Sequence, residues 1–343
     1  MSQINVDVIL PQSGNSVTVN GVNLSSPNND PTNIAIACVP TSVAITSHNN
    51  TLIGGAAAGG LTTGYQNTAI GTYACQALTT GFNNVAVGMN SLFANTTGSS
   101  NIAIGANAAI SQASGSDTVA IGDSALRFCT DFSNVAIGTS ALRNLITGFT
   151  NVSIGRNSGQ GLTNGTGNTF LGAQSGQAIA TGSNNTVVGF SAGDVTILNG
   201  SNNTIIGYNA EASSSVASNQ ITLGNSSVTT LRCAVTSITS LSDERDKDEI
   251  TDLSAGLDFI NEIKPVSFVW KDRNEEGKQG IKDSGFTAQN LKEVQEKYNL
   301  VEELKLVHEE NPEKLEASYG RLIPILVKAI QDLSKEVEQL KNK

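Results

Sequence analysis

A repeat of 17 residues constrains the fold of this chain more than any other feature of its sequence. Each copy contains a short apolar triplet that ends in glycine, and these glycines lie 17 residues apart, with one interval of 16 and one of 18. They are Gly54, Gly71, Gly88, Gly105, Gly122, Gly138, Gly155, Gly172, Gly189, Gly207 and Gly224. A fixed period of this length predicts a solenoid, in which each repeat forms one coil and successive coils stack.

Two further positions recur in the repeat. An asparagine stands four residues before most of the glycines, with Thr118 and Gln220 as the exceptions. A second glycine precedes the first by seven residues in eight copies, beginning with Gly64. We expect the glycines to supply positive φ where the chain reverses. We expect the asparagines, which lie at the same height in successive coils, to form a hydrogen-bonded ladder.

The apolar triplet is typical of a short strand. In Val85-Ala86-Val87 the valines point to one side of a strand and the alanine to the other. We expect the large Val, Ile and Leu side chains of the triplets to face the interior and the small residue to face outward. Each coil has room for two short strands and two turns, and eleven or twelve coils would extend for roughly 50 to 60 Å. Because a thin coil buries little apolar surface, we also expect association with other chains.

The Asn-Val-Ala-Ile-Gly coils resemble the left-handed β-roll heads of trimeric bacterial adhesins and the similar shafts of viral fibres. The resemblance covers about residues 33–227. It implies a mainly β fold in which three chains form a trimeric parallel β-solenoid. It gives little information about which ligand the solenoid binds. The adhesins end in a membrane-anchoring β-barrel, which we do not expect here.

The composition changes abruptly at Ser242. Residues 1–241 contain no lysine and 11 charged residues, whereas residues 242–343 contain 39 charged residues. A cluster of Pro and Asn at 27–31 marks an earlier break. We therefore expect three regions: an N-terminal attachment segment at 1–31 with strands or a hairpin, a solenoid shaft at 32–241, and a small α+β domain at 242–343.

The last region alternates helix and strand signals. Helices are expected over 253–263 with Ser254 as N-cap, over 287–298, and after Gly320; strands are expected near 266–270 and 281–286. Apolar residues of the last helix, spaced three or four apart, predict either a short coiled-coil seam or one amphipathic helix packed on its own domain. These residues are Ile323, Leu326, Ile330, Leu333, Val337 and Leu340.

Four segments of this region carry a second resemblance. They are Ser242-Asp-Glu-Arg-Asp-Lys247, Ile263–Trp270, Ser284–Gln289 and Tyr319–Leu333. In this order they resemble the peptidase S74 family, the intramolecular chaperone domains at the C-termini of phage tail spikes, endosialidases and related fibres. The resemblance implies a domain that trimerises, nucleates folding of the fibre in front of it, and is then released by self-cleavage.

The same resemblance implies the site residues. Ser242 would be the nucleophile, Lys247 its general base, and Leu241-Ser242 the scissile bond. A lysine acts as a base only where burial or nearby cations bring its pKa well below about 10.4. The family usually has an apolar residue where this chain has Asp246, and alternation along a strand would turn Asp246 away from Lys247.

Charge and cysteine usage exclude several function classes. The net charge of −10 and a pI near 4.7 argue against nucleic-acid binding. Residues 1–10 lack a positively charged start, so they predict no secretory signal. The sequence has no apolar run of 18 residues, so we expect no membrane-spanning helix.

The four cysteines lie far apart, so we expect small buried side chains and no metal site, disulfide framework or cofactor. They are Cys38, Cys75, Cys129 and Cys233.

Together these observations predict a homotrimeric viral fibre or spike on the virion surface, made in the host cytoplasm. Residues 1–31 would bind other virion proteins, and the shaft would contact a host surface receptor or glycan. The only enzymatic activity expected is a single self-cleavage by the Ser242–Lys247 dyad.

Two alternatives remain open: a tailspike-type glycan hydrolase with the same chaperone, and a bacterial trimeric adhesin-like surface protein. A hydrolase would need paired carboxylates, and Asp117, Asp123 and Asp131, the only local acidic cluster of the shaft, are expected to be solvated turn residues.

Overall fold

A computed structural model describes residues 16–19, 22–25, 34–36, 47–194, 199–234, 240, 242–271 and 279–342, the first three ranges as backbone strands. The chain divides into two compact units, Met1–Asn225 and Ser226–Lys343. The three regions with boundaries at 31–32 and 241–242 remain a prediction.

The first unit is a parallel β-solenoid whose strands form one 14-stranded sheet in chain order. Strands β1 (Ser16–Val19) and β2 (Val22–Ser25) pair antiparallel, in agreement with the strands or hairpin expected here, and β2 pairs antiparallel with β3 (Ile34–Ile36). Every later strand pairs in parallel with the next. The strands are β1 Ser16–Val19, β2 Val22–Ser25, β3 Ile34–Ile36, β4 Thr51–Ile53, β5 Thr68–Ile70, β6 Val85–Val87, β7 Ile102–Ile104, β8 Val119–Ile121, β9 Val135–Ile137, β10 Val152–Ile154, β11 Thr169–Leu171, β12 Thr186–Val188, β13 Thr204–Ile206 and β14 Ile221–Leu223. The strands expected over residues 3–15 lie outside the described residues.

The orientation expected for the triplets was wrong. The middle residue of β4 to β13 faces the interior, and Ala86 and Ala103 are fully buried. The first and third residues point outward; we call these residues of β4 to β14 the outer strip. Ile102 and Ile104 of this strip are 38% and 39% exposed. The reason is space, because the interior of each coil takes one side chain from its strand, beside the leucines of the opposite wall such as Leu61, whereas the expected orientation would place two large side chains there.

One coil shows how tightly this volume is set. Phe170 occupies the middle position of β11 and is fully buried. A Cβ at either Gly159 or Gly176 would overlap its ring. Most other coils have a larger residue at the position of these two glycines, for example Leu142. The large aromatic ring therefore fits only because positions 159 and 176 are glycines, which have no side chain.

The second strand expected in each coil is absent from residues 47–194. This half of the coil is a series of turns in which non-glycine residues such as Cys75 and Leu92 take positive φ. Backbone hydrogen bonds to the next coil hold the turns, as from Cys75 N–H to the Ser91 carbonyl at 2.9 Å. The strand-end glycines do adopt positive φ as predicted, +133° at Gly71, where a Cβ would also overlap the backbone of Gly88. The expectation was wrong for the second set, in which only Gly148 has positive φ. These glycines are required by close packing instead, as at Gly64, where a Cβ would overlap the carbonyl oxygen of Gly81.

The predicted asparagine ladder is confirmed. Asn84 Nδ2 donates to Asn67 Oδ1 at 3.0 Å and to the carbonyl of Gly98 at 2.9 Å. Asn84 Oδ1 accepts in turn from the backbone N–H and the Nδ2 of Asn101, at 3.1 and 3.0 Å. Each amide thus joins three coils, and burial of these polar groups is offset because they are hydrogen-bonded.

The ladder is interrupted at Thr118, in the coil followed by the 16-residue interval. A threonine has no amide to donate, and the amide of Gln112 takes its place. Gln112 Nε2 donates to Thr118 Oγ1 at 2.9 Å and to the Asp131 carbonyl at 3.2 Å. The ladder resumes where Asn151 Nδ2 donates to Asn134 Oδ1 at 3.1 Å. The amide of Gln112 thus compensates for the missing asparagine, and the solenoid accommodates one irregular repeat.

The second unit is a small α+β domain. Its elements are α1 Leu257–Glu262, β15 Val266–Val269, β16 Lys282–Gly285, α2 Ala288–Lys297, α3 Val301–Leu304, β17 Val307–His308, β18 Glu316–Ala317 and α4 Leu322–Lys341. Strands β15 and β16 pair antiparallel, as do β17 and β18. The core includes Phe259, Leu291, Leu306 and Ile325, all fully buried. The expected helices and strands are present here, although part of the turn expected between β15 and β16 lies outside the described residues.

The N-cap expected for α1 was wrong. Gly256, and not Ser254, occupies that position. The carboxylate of Asp332 on α4 accepts from the backbone N–H of Leu257 instead. A side chain at position 256 would overlap that carboxylate. A partner from another helix therefore satisfies the first turn of α1.

Helix α4 presents two faces. Leu322, Ile325 and Ala329 pack into the domain. The six residues spaced three or four apart point elsewhere and are exposed; we call them the seam. They are Ile323, Leu326, Ile330, Leu333, Val337 and Leu340. Among the described residues these six do not pack into the core of their own domain, which argues against the second of the two interpretations.

Cysteine burial follows the expectation in part. Cys75 and Cys129 are buried in the solenoid, and burial raises the pKa of their thiols to about 12 and about 11. Cys233 is exposed, which contradicts the expectation of a buried side chain. Cys38 lies outside the described residues.

Candidate active site

The candidate site is built on one short turn of 3₁₀ helix, Glu244–Asp246, with Asp243 as its N-cap. Asp243 Oδ1 accepts from the backbone N–H of Arg245 at 2.9 Å. Two backbone bonds close the turn, from Asp246 N–H to the Asp243 carbonyl at 3.2 Å and from Lys247 N–H to the Glu244 carbonyl at 3.1 Å. The chain therefore folds back between Ser242 and Lys247.

This turn brings together the two residues that the sequence singled out. Lys247 Nζ lies 2.7 Å from Ser242 Oγ and 3.2 Å from the Ser242 carbonyl oxygen. A hydroxyl and an amine at this separation can exchange a proton directly, which is the geometry required of a nucleophile and its base. Leu241, the other side of the expected scissile bond, lies outside the described residues.

A second contact in the turn is the ion pair between Arg245 and Asp243, which the sequence alone did not predict. Arg245 Nη2 lies 2.6 Å from Asp243 Oδ2, and Arg245 Nε lies 3.0 Å from Asp243 Oδ1. This bidentate pair holds the pKa of Asp243 below its usual range. The available signal was an acid at a helix N-cap with an arginine two residues later.

The position of Asp246 differs from the expectation in its local structure. It lies in the 3₁₀ turn and not in a strand, so alternation along a strand does not govern its direction. A strand would also have left Ser242 and Lys247 far apart, because five strand residues span about 16 Å.

The described residues of the site are exposed in the single chain, including Ser242, Asp243 and Lys247. Lysines that act as general bases are usually desolvated or lie beside another cation. The geometry of the pair is therefore present in one chain, whereas the dry surroundings that this chemistry needs would have to come from a cover over the turn.

The acidic cluster of the solenoid has structural partners. Asp131 Oδ2 accepts from the Gly148 backbone N–H at 2.6 Å, and Asp123 Oδ2 accepts from Ser124 Oγ at 3.3 Å. Asp117 and Asp123 are exposed. This pattern agrees with the expectation of turn residues in contact with water.

Comparison with known families identifies the C-terminal region. Residues 242–300 match Peptidase S74, chaperone of endosialidase. The match begins at Ser242, includes the 3₁₀ turn and Lys247, and ends after α2. No curated protein and no solved structure matches the chain. Within the residues described, no helix is both long enough and apolar enough to cross a membrane.

The Peptidase S74 match and the solenoid fit each other. The match confirms the family resemblance of the C-terminal region and suggests a self-cleaving peptidase activity. Together with the parallel solenoid it fits a fibre- or spike-like protein that carries a chaperone domain.

Proposed function

We propose that this chain is one subunit of a homotrimeric viral fibre or spike, whose C-terminal domain chaperones assembly and is then cut off. Residues 1–31 attach to other virion proteins, and the solenoid contacts a receptor or glycan on the host surface. The observation that carries the proposal is the outer strip. Its apolar side chains repeat along the solenoid, with both flanking positions apolar in every strand from β6 to β10.

An apolar strip of this length calls for a partner. Monomeric soluble proteins rarely expose long continuous apolar patches, and such patches mark association sites. Each strand adds side chains at the same position as the strand before it, so identical chains aligned side by side bury the strip uniformly. The seam on α4 supports the same arrangement, because its six exposed apolar residues have heptad spacing. Its length of fewer than three heptads makes it an aid to assembly within a larger contact.

Trimerisation also supplies the cover that the exposed dyad needs. Neighbouring subunits that pack over the 3₁₀ turn would exclude water from Lys247 and favour its neutral form. Cleavage would then follow assembly, and a chain that had failed to assemble would stay whole.

The proposed chemistry uses two side chains in turn. Lys247 Nζ takes the proton of Ser242 Oγ, and Oγ attacks the carbonyl carbon of Leu241 through a five-membered ring. The C–N bond breaks, the amine of Ser242 takes the proton from Lys247, and Leu241 is held as an ester. Water then hydrolyses the ester, with Lys247 as base, and restores the hydroxyl. Holding the hydroxyl beside the carbonyl can lower the barrier by up to roughly 7 to 11 kcal/mol when the geometry is ideal.

Glycan hydrolysis and bacterial adhesion remain alternatives without an observation in their favour. The carboxylates of the Asp117–Asp131 segment are exposed or accept local hydrogen bonds. Turnover of host glycans by assembled protein in which Ser242 is replaced would reopen the first alternative.

Intact-mass spectrometry of freshly assembled protein tests self-cleavage. We expect wild type to give one fragment that ends at Leu241 and one that begins at Ser242. Ser242→Ala and Lys247→Ala should stay whole and still assemble, since assembly depends on the shape of the domain. Wild type that stays whole after assembly, or variants that are cut at the wild-type rate, would refute the dyad.

A further inference from the structure

We infer that Asp243 and Arg245 are positioning residues for cleavage: together they hold the turn that carries the amine of Lys247 to the hydroxyl of Ser242. This inference rests on the proposed self-cleavage and assigns a role to two residues outside the dyad. Among the described residues, neither side chain hydrogen-bonds Ser242 Oγ or Lys247 Nζ. Both act through the backbone between Ser242 and Lys247.

The turn shortens the distance between Ser242 and Lys247. Residues five apart in an extended chain are separated by about 16 Å, whereas a 3₁₀ helix advances only about 2.0 Å per residue. The contact of 2.7 Å between Lys247 Nζ and Ser242 Oγ therefore depends on the turn at Glu244–Asp246. Without that turn the dyad separates.

The side chain of Asp243 holds this turn in place. A single helical turn is unfavourable by itself, because it fixes several dihedral angles for one or two hydrogen bonds. No residue of the turn is buried, so packing within the single chain contributes little. The side chain of Asp243 supplies the missing support by accepting from the Arg245 backbone N–H at 2.9 Å.

The guanidinium of Arg245 fixes the rotamer of Asp243. Its Nη2 and Nε reach different oxygens of that carboxylate, at 2.6 and 3.0 Å. A bidentate pair restrains the carboxylate plane as well as its position, and this keeps Oδ1 aimed at the backbone N–H. Because the pair is exposed, its loss should leave the fold intact while the turn opens. Cleavage and folding can therefore be separated.

The test measures the first-order rate of cleavage in full-length protein whose assembly is verified by light scattering. Asp243→Ala removes both contacts, and we expect the rate to fall by roughly tenfold to a hundredfold, the scale set by misplaced reacting groups. Asp243→Ser keeps an oxygen that can cap the turn and should recover part of the rate. Arg245→Gln keeps the backbone cap and should fall between wild type and Asp243→Ala.

A matched control lies just beyond the dyad. Asp248 Oδ1 accepts from the backbone N–H of Glu249 at 2.9 Å, a similar local contact that lies outside the turn. Asp248→Ala should therefore be cut at the wild-type rate. The double variant Asp243→Ala with Arg245→Gln should be no slower than Asp243→Ala alone, since the two residues act as one unit.

Two failures are distinguishable. If wild type is cut and assembled Asp243→Ala is cut equally fast, the positioning role is wrong and the dyad stands. If Asp243→Ser is no faster than Asp243→Ala, the capping contact does not carry the effect. Should Asp243→Ala fail to assemble, the comparison of Arg245→Gln with Asp248→Ala decides, and equal rates refute the inference. Wild type that is never cut overturns the proposed self-cleavage, and the inference with it.

Discussion

The two units of this chain hold themselves together in opposite ways. In the solenoid most coils repeat the contacts of the coil before, through the asparagine ladder and the parallel strand pairs. In the C-terminal unit each contact occurs once, as where Asp332 caps α1 or where Gln295 Oε1 accepts from the Leu306 backbone N–H at 3.0 Å. Repetition makes a long structure from a short pattern, but it specifies position along that structure weakly.

This difference bears on assembly. If one chain slips against another by a whole coil, apolar residues of the outer strip still meet apolar residues, so the wrong register costs little. A domain with unique contacts has no such near-equivalent alternatives. We therefore propose that the non-repeating C-terminal unit sets the register of the repeating one and is no longer needed once the coils have paired.

The largest expected effect comes from removing the C-terminal unit at different times. A gene truncated after Leu241 should give little soluble protein, because the chains must find register unaided. Protein from which residues 242–343 are removed after folding should stay soluble and assembled. The soluble yield of the truncated gene, against the recovery of assembled protein after cleavage, measures the contrast.

Equal soluble yields from the two routes would show that the solenoid sets its own register. Such a result would reduce the C-terminal unit to an attached domain without a role in folding.

The next largest effect concerns the outer strip. Ile104→Asp places a charge on the strip of β7, where the single chain leaves the side chain 39% exposed. The coil itself should tolerate this change, whereas burial of an unpaired charge between subunits costs several kcal/mol. We expect loss of the assembled species in sedimentation velocity.

Met89→Asp is the matched control, since Met89 is also exposed but lies beyond the end of its strand, after Gly88. It should assemble as wild type does. Assembly by both variants would contradict the assignment of the strip.

A smaller effect is expected within one coil of the ladder. Asn84→Ala leaves the Gly98 carbonyl and the backbone N–H of Asn101 without their partner. At about 1 to 3 kcal/mol for each of these two unsatisfied buried groups, we expect a loss of roughly 2 to 6 kcal/mol. Chemical denaturation of the uncut Ser242→Ala protein measures it.

Gln177→Ala removes a lateral contact of a half-buried side chain, from its Nε2 to Gln160 Oε1 at 3.2 Å, and should cost no more than about 1 kcal/mol. Similar losses for the two variants would mean that the buried ladder has no special weight.

The smallest effect belongs to a surface contact of the C-terminal unit. Lys297, and then Tyr298, hydrogen-bonds Glu262 and lowers the pKa of its carboxyl. Because the folded pKa is the lower one, the contribution is present above the unfolded pKa and is lost as pH falls through the folded pKa. We expect Glu262→Gln to reduce thermal stability slightly at neutral pH and not at all in acid. A difference that grows on acidification would have the wrong sign.

The sequence was informative where the pattern itself has a physical meaning. The 17-residue interval placed the strands, the asparagine column implied the ladder, and glycines after each triplet implied positive φ. The pattern could not reveal which face of a triplet is interior, because alternation has the same period for either choice. Interior volume decides it, as Phe170 shows by requiring glycine at 159 and 176.

Other features depend on contacts that no local pattern carries. Left-handed backbone at Leu92 and Leu142 is unfavourable by roughly 1 to 2 kcal/mol for each residue, so propensity argues against the turns that coil-to-coil hydrogen bonds stabilise. The cap of α1 comes from a helix about 75 residues away in the chain. At the site, the resemblance supplied Ser242 and Lys247, but their meeting depends on a 3₁₀ turn in place of the expected strand.

The central claim is that the outer strip and the seam are contacts between identical chains. Its most direct test is the mass of uncut protein in solution, measured by light scattering on the Ser242→Ala variant, which keeps both units joined. We predict three times the 35.5 kDa mass of one chain, unchanged on dilution. A mass of one chain would contradict the account, because the strip and the seam would then stay exposed to water.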